Sequence, residues 1–216
     1  MLREKAKASK RQAILKAAAG HFARRPYREV LLDEIAADAE VAKGTVYLYF
    51  KNKADLYLAL VFAALSPLLK RLEVDVPAAA ERSAIAGIEL FIIEMLKFRL
   101  EHPGIDEVIR ETSPAAVIAV CGDLKKSMYG LMEQTIQSGV DRGQLTDPAP
   151  RATAELILAS VSRAAQWMSL EQNEWSVEQI AAHLVALFGD GLRVRRDQNR
   201  TRQNGRKLAK TGVVNE

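Results

Sequence analysis

The sequence predicts an all-α protein of about nine helices, with a small three-helix unit at the N-terminus and a larger helical body behind it. Two observations carry this. Aromatic residues make up only 6% of the 216 residues, while Ala and Leu are abundant and glycines and prolines fall mostly at plausible helix ends. Apolar residues recur at intervals of three and four, and the short strand-like runs, such as residues 116–120, lie inside those helical patterns.

Each element follows from local signals. The first helix spans about residues 5–24, with Ile14, Ala18 and Phe22 as its buried stripe, and Pro26 ends it because the residue before a proline resists helical geometry. A second helix over 32–39 buries Leu32, Ile35, Ala36 and Ala39. A third over 42–49 turns Val46, Tyr49 and Phe50 inward. Asn52 is a good N-cap with Asp55 three residues on, so a fourth helix opens there and is expected to reach about residue 72, bent at Pro67. The Val-Asp-Val-Pro run at 74–77 reads as a link, followed by a long helix over 78–102 that Pro103 and Gly104 stop. A short helix near 105–111, a long one from Ser113-Pro114 to about 142, and two more over 149–171 and 177–194 complete the body. The remainder is polar and basic with no apolar period, and is expected to be disordered.

Charge is unevenly spread. Residues 1–53 carry 12 Lys/Arg against 6 Asp/Glu, a balance of +6. Residues 193–216 carry 8 against 2, also +6, and the middle carries 11 against 19, or −8. A basic head on an acidic body suits a module that meets nucleic acid and a body that does not. The single cysteine, Cys121, excludes an internal disulfide. The first residues lack the apolar run of a secretory signal, and the greasiest segment, 56–69, is shorter than the roughly 20 residues of a membrane span. A cytoplasmic protein without membrane contact is therefore expected. His21, His102 and His183 fall on separate elements, and no serine-nucleophile turn or Gly-rich phosphate cradle is present. Neither a metal site, a cofactor nor an enzyme activity is expected.

Residues 33–57 are the most informative stretch: two short helices, a tight turn, Lys-Asn-Lys and the start of a longer helix. That is the layout of a helix-turn-helix, in which one helix braces across the DNA backbone and the next lies in the major groove. A helix entering the groove by its N-terminal end needs small or donor-bearing residues there. Lys43 can reach a guanine edge, Gly44 lets the backbone approach, and Thr45 can meet a phosphate or a thymine methyl. Tyr47 lies outside the Val46/Phe50 stripe, so its hydroxyl can reach a phosphate, and Lys53 sits at a helix start where an anion is favoured. Either tyrosine can also be read as a packing aromatic, Tyr49 more readily than Tyr47.

The run IAADAEVAKGTVYLYFKNKADL resembles the signature of the tetracycline-repressor (TetR-type) family of bacterial transcription regulators. Ile35-Ala36, Val41, Gly44-Thr45-Val46-Tyr47, Tyr49-Phe50 and Lys51-Asn52-Lys53 match it in order and spacing, and the likeness covers about residues 10–57. The resemblance implies backbone contacts at Thr45, Tyr47 and Lys53, with Lys43 and Gly44 at base edges; Lys51, in the same Lys-Asn-Lys run, is a further DNA-binding candidate. Three positions depart from the family pattern. Glu40 stands at a turn position where Gly is usual, Ala42 replaces a capping Ser, and Leu31 replaces a Thr whose phosphate contact Arg28 or the helix-2 backbone would have to supply.

The expected domains are a DNA-binding head at 1–53, a ligand-binding and dimerisation body at 54–194, and a basic tail at 195–216. The partners implied are palindromic double-stranded DNA, a small apolar effector and a second copy of the chain. Candidate pocket residues are Phe91, Met95, Phe98 and His102, then Cys121, Met128, Tyr129 and Met132, then Arg163 and Trp167, each of which core packing would also explain. A dimer seam is expected from Ile157, Val161, Ala164 and Ala165 with Ile180, Leu184, Leu187, Phe188 and Leu192, a stripe that an ordinary core would use equally well. The function expected is that of a dimeric, sequence-specific regulator, most simply a repressor released by its ligand. The rival is an architectural protein that binds DNA with little sequence preference and answers to no ligand.

Overall fold

The computed structural model describes residues 2–112, 114–169 and 174–192, and the tail lies outside them. The described chain is all α-helical, in the order α1 Leu2–Arg24, α2 Leu32–Asp38, α3 Lys43–Tyr49, α4 Lys53–Arg82, α5 Ala84–Glu101, α6 Ile105–Glu111, α7 Pro114–Asp141, α8 Pro150–Met168 and α9 Val177–Leu192. A single turn of 3-10 helix, Tyr27–Glu29, joins α1 to α2.

The first three helices close around a small core. Ile14, Ala18, Val30, Ile35, Val46 and Leu56 in it are essentially inaccessible, and Phe50 seals the end of α3. The bend between α2 and α3 is a helix terminus of the Schellman type: the Val41 N–H donates to the Ala36 carbonyl at 3.0 Å and the Glu40 N–H to the Ala37 carbonyl at 3.0 Å. Such a terminus places one residue in the left-handed region, and here it is Glu40 at φ 53°. A side chain there costs about 1–2 kcal/mol relative to Gly. Glu40→Gly is accordingly expected to raise stability by about 1 kcal/mol in denaturant unfolding; an unchanged or lower midpoint would mean that the Glu40 side chain compensates for the strain.

Asn52 caps α4, its Oδ1 accepting from the Asp55 N–H at 2.8 Å, while the Asp55 carboxylate accepts from the Lys51 N–H at 2.9 Å. From there α4 runs unbroken for 30 residues through Pro67 and Pro77. The expected link at 74–77 is therefore helix, and the break falls at Ser83, whose backbone is extended. The reason is packing: Leu72 and Val76 are fully buried and Ala79 and Ala80 continue their stripe, while both prolines lie on the exposed side. The corner after α4 is tied to the end of α7. The Arg142 guanidinium donates to the Ala80 carbonyl at 2.8 Å, and the Ala84 N–H donates to the Gln144 side-chain carbonyl at 2.9 Å. These bonds satisfy backbone groups that a helix end leaves without intrahelical partners.

α5 is the central helix of the body. It packs on α4, α7, α8 and α9, and Phe91, Ile92 and Leu96 are wholly enclosed. The first turns of α4 share the small core of the head, and its remainder belongs to the large core of the body. One continuous helix therefore connects the two.

Candidate nucleic-acid interface and effector cavity

α3 is held from behind and bare in front. Val46 and Phe50 anchor it, whereas Lys43, Gly44, Tyr47 and Leu48 face outward. These four fall at helical spacing on one face. Tyr47 is 48% exposed and Leu48 80%, and a Cβ added at Gly44 would meet nothing within 4 Å. The chain's own packing thus does not demand glycine at 44; the missing side chain leaves room for a surface from outside. Thr45 and Tyr49 are half-buried at the edge of the face. Leu48 was not among the sequence candidates. Nothing in its side chain signals a role until exposure shows it on the same face, where an apolar group can meet a thymine methyl.

The Lys43 ammonium lies 2.7 Å from the nearer Asp33 carboxylate oxygen, and this hydrogen bond raises its pKa. Both groups are exposed, so the pair is a weak tether between the starts of α2 and α3. Lys51 projects into solvent. Leu31 caps α2 without a side-chain hydrogen bond and is 58% exposed; Ala42 likewise gives α3 no side-chain cap.

Two of the expected DNA contacts have partners within the chain. The Lys53 ammonium does not stand open at the start of α4. It donates to the carbonyls of Tyr27 at 2.9 Å, Arg28 at 3.1 Å and Val30 at 3.2 Å, and lies 4.5 Å from the centre of the Tyr27 ring. Its three donors brace the turn before α2. Arg28, the candidate replacement for the missing phosphate contact, is ion-paired through Nε with Glu107 on α6. Head and body thus share a charge pair.

They also share an aromatic joint. The Tyr27 and Tyr57 rings meet edge to face at 5.2 Å, and Phe22 packs on Tyr57 at 4.8 Å. Tyr57 is hydrogen-bonded to the backbone of Gly104, at the start of α6, and burial pushes its phenol up to about 12. A Cβ on Gly104 would sit 2.8 Å from the Tyr57 hydroxyl and 3.0 Å from the Tyr27 Cβ, so glycine is what lets α6 approach.

Behind α6 lies a cavity of about 260 Å³ between α4, α5, α6, α7 and α8. Of the pocket candidates, Met95, Phe98, Met128 and Tyr129 line it. Leu58, Val61, Phe62 and Leu65 of α4, Ile105 and Ile109 of α6, and Arg99, Lys125, Leu158, Val161 and Ser162 complete the wall. The other candidates fall elsewhere. Phe91 and Met132 sit one helical turn along from Met95 and Met128, entirely within the core. His102 lines a separate surface groove with Pro67 and Arg71, its ring 4.6 Å from Phe98, and burial lowers its pKa. Arg163 is exposed and bonds Gln166, and Trp167 is 42% exposed beside Trp175. The side chain of Cys121 lies outside the described residues.

Burial divides the residues of the expected dimer seam. Ile157, Val161, Ala165 and Ile180 are buried within the chain's own core, α8 packing on α5 and α7 and α9 on α5. Ala164, Leu184 and Phe188 are half-buried, and only Leu187, at 62% exposure, faces outward; the side chain of Leu192 lies outside the described residues. Among the described residues on and between α8 and α9, the exposed large apolar side chains are Leu156, Trp167, Trp175 and Leu187. Among the described residues there is no cluster of potential metal ligands and no helix long and apolar enough to cross a membrane.

Residues 14–60 match the profile of the bacterial regulatory proteins of the tetR family. The chain is 22% identical over 202 residues to the fatty acid metabolism regulator protein of Bacillus subtilis, covering 87% of this chain and 98% of that protein. It is 28% identical over 177 residues to the HTH-type transcriptional repressor BepR of Brucella suis, covering 74% and 81%. Among solved structures, the transcriptional regulator FadR from Bacillus subtilis in complex with stearoyl-CoA superposes with a TM-score of 0.66 at 19% identity, over 82% of this chain and 96% of that one. At that identity the body shares a fold with it.

Proposed function

We propose that this chain, a TetR-type transcriptional regulator, acts as a homodimeric repressor whose two α3 helices read a palindromic operator and whose cavity takes a small apolar effector. The head comprises residues 1–53 and the body 54–194. The observation that carries the reading is the outer face of α3: an exposed Lys43, Gly44, Tyr47 and Leu48 on a helix fixed from behind by Val46 and Phe50. Lys43 and Leu48 address base edges, Gly44 allows the approach, and Thr45, Tyr47 and Lys51 meet phosphates. Lys53 acts at one remove, through the turn it braces.

The dimer supplies the specificity one short helix lacks, since each mismatched base pair costs only about 1–3 kcal/mol. Its surface is the side of α8 and α9 that carries Leu156, Trp167, Trp175 and Leu187.

Two connections run from the cavity to the head. Ile105 and Ile109 line the cavity on α6, the same helix that starts under Tyr57 and carries the partner of Arg28. An effector that pushes on α6 therefore alters the seating of the head, provided that it binds the operator-competent and released arrangements unequally. That the related fatty acid metabolism regulator fold holds stearoyl-CoA supports an effector site within such a body.

Selection of duplexes from a random pool by the purified protein tests the reading. It is expected to return an inverted repeat whose half-sites lie about 34–36 Å apart, one helical turn. Binding without enrichment of any sequence, and with steep salt dependence, would make the chain an architectural DNA binder instead.

A further inference from the structure

The early turns of α1 do no packing within the chain. Residues 7–12 are helical and all exposed, and six residues go more than once round a helix. No side of this stretch is covered by the protein. A polar helix without a packed face is marginal in water, so its support has to come from outside the chain.

Its charges lie on one side. Lys7, Lys10 and Arg11 fall at i, i+3 and i+4, and at about 100° per residue they continue the face of Ile14 and Ala18, which are fully buried in the core of the head. The stripe that packs on the head thus turns cationic where the packing ends. The Arg11 guanidinium reaches back to within 5.2 Å of the centre of the ring of Phe50, which closes α3, and the exposed Lys51 follows it. These early turns therefore overhang the C-terminal end of α3 with their cations on that side. None of the three pairs with a carboxylate of the described residues. Elsewhere in the head, Arg25, Arg28 and Lys43 pair with Glu34, Glu107 and Asp33.

We infer that the early turns of α1 are a second DNA contact, a cationic arm whose Lys7, Lys10 and Arg11 lie along the phosphate backbone beside the groove that α3 enters. The inference rests on α3 being the element that reads DNA, and it supplies the unpaired positive charge that α3 itself lacks. A duplex fits the arm better than another polyanion, because the arm starts at the end of the reading helix. Phosphate contacts carry no sequence information; they add affinity and fix orientation. Each phosphate they neutralise releases counterions, which makes binding depend more steeply on salt.

Binding of the full-length protein to its selected duplex and to a mixed-sequence duplex, each over a series of salt concentrations, tests the arm. The triple variant Lys7→Gln, Lys10→Gln, Arg11→Gln is expected to bind both duplexes about tenfold or more weakly at low salt. The slope of log affinity against log salt should fall by about 3–5, for three charges in each protomer of a dimer at roughly 0.9 per phosphate. Base preference is expected to stay as it is, since α3 is unchanged. Lys7→Gln with Lys10→Gln leaves Arg11 on Phe50 and should give about two-thirds of the change in slope without altering thermal unfolding. Lys16→Gln removes the same charge from the opposite, exposed face of α1 and should leave the slope as it is. Equal slopes for the native protein and the triple variant, or as large a change from Lys16→Gln as from Lys7→Gln alone, would overturn the arm and leave α3 its base preference. A native protein that bound neither duplex would overturn both.

Discussion

Leu187→Asp is expected to convert the protein to a monomer in sedimentation and to lower operator affinity by roughly 100-fold or more, because two linked reading heads gain 10²–10⁴ in avidity over one. Leu187 is 62% exposed on α9, and Leu156 of the neighbouring α8 is 60% exposed. A carboxylate at that position costs the protomer little, since the side chain already faces water, but it would be buried unpaired in a dimer. The change therefore separates the partner surface from the protomer's own core. Ile157→Asp could not do this, because Ile157 is wholly enclosed and its loss would unfold the body. If Leu187→Asp remained dimeric and bound operator normally, the contact between copies would have to be sought on another face.

Lys53→Met is expected to lower both stability and DNA binding. The native ammonium satisfies three carbonyls of the turn before α2, and hydrogen bonds to a charged group contribute about 1.5–3 kcal/mol. The methionine side chain keeps the apolar contact with Tyr27 but donates nothing, so a loss of about 2–3 kcal/mol is expected. In thermal unfolding this amounts to roughly 4–12 °C for a chain of this size. Operator affinity should fall alike for all sequences, because α2 and α3 lose the register the turn gives them while their reading residues are unchanged. A variant with unaltered melting but weakened binding would return Lys53 to the role of a direct phosphate contact.

The contrast between these two side chains shows where the sequence was legible. The head could be read because its signals are local: Pro26 ends α1, Asn52 and Asp55 open α4, and the apolar spacing of Ile14 and Ala18 marks a buried face. The strained position at Glu40 was legible for the same reason, a turn of known shape carrying the wrong residue. The role of Lys53 was not, since its acceptors lie 23 to 26 residues upstream and meet it only in the folded head. The end of α4 was misread because a Val-Asp-Val-Pro run imitates a link; Val76 within it is fully buried, and burial against α5 and α7 outweighs the proline.

The cavity was half legible. Sequence periodicity shows which residues share a helix face but not how far along that face the packing closes. Met95 and Met128 line the space, whereas Phe91 and Met132, one turn away on the same helices, are core. Where α4, α5, α7 and α8 diverge decides the difference, and divergence is a property of helix crossings that no single segment encodes. The same holds for Arg99 and Lys125, ordinary surface charges in the sequence that the fold brings to one wall.

Reading of DNA by the outward face of α3 leaves its mark in base preference. The duplex selection should be repeated with Lys43→Ala and Leu48→Ala beside the native protein. Each variant is expected to keep the inverted repeat but to lose preference at one defined position in each half-site, Leu48→Ala at a thymine, while binding to other positions is unchanged. If both variants selected the same sites as the native protein with the same affinity, α3 would not be the element that reads DNA.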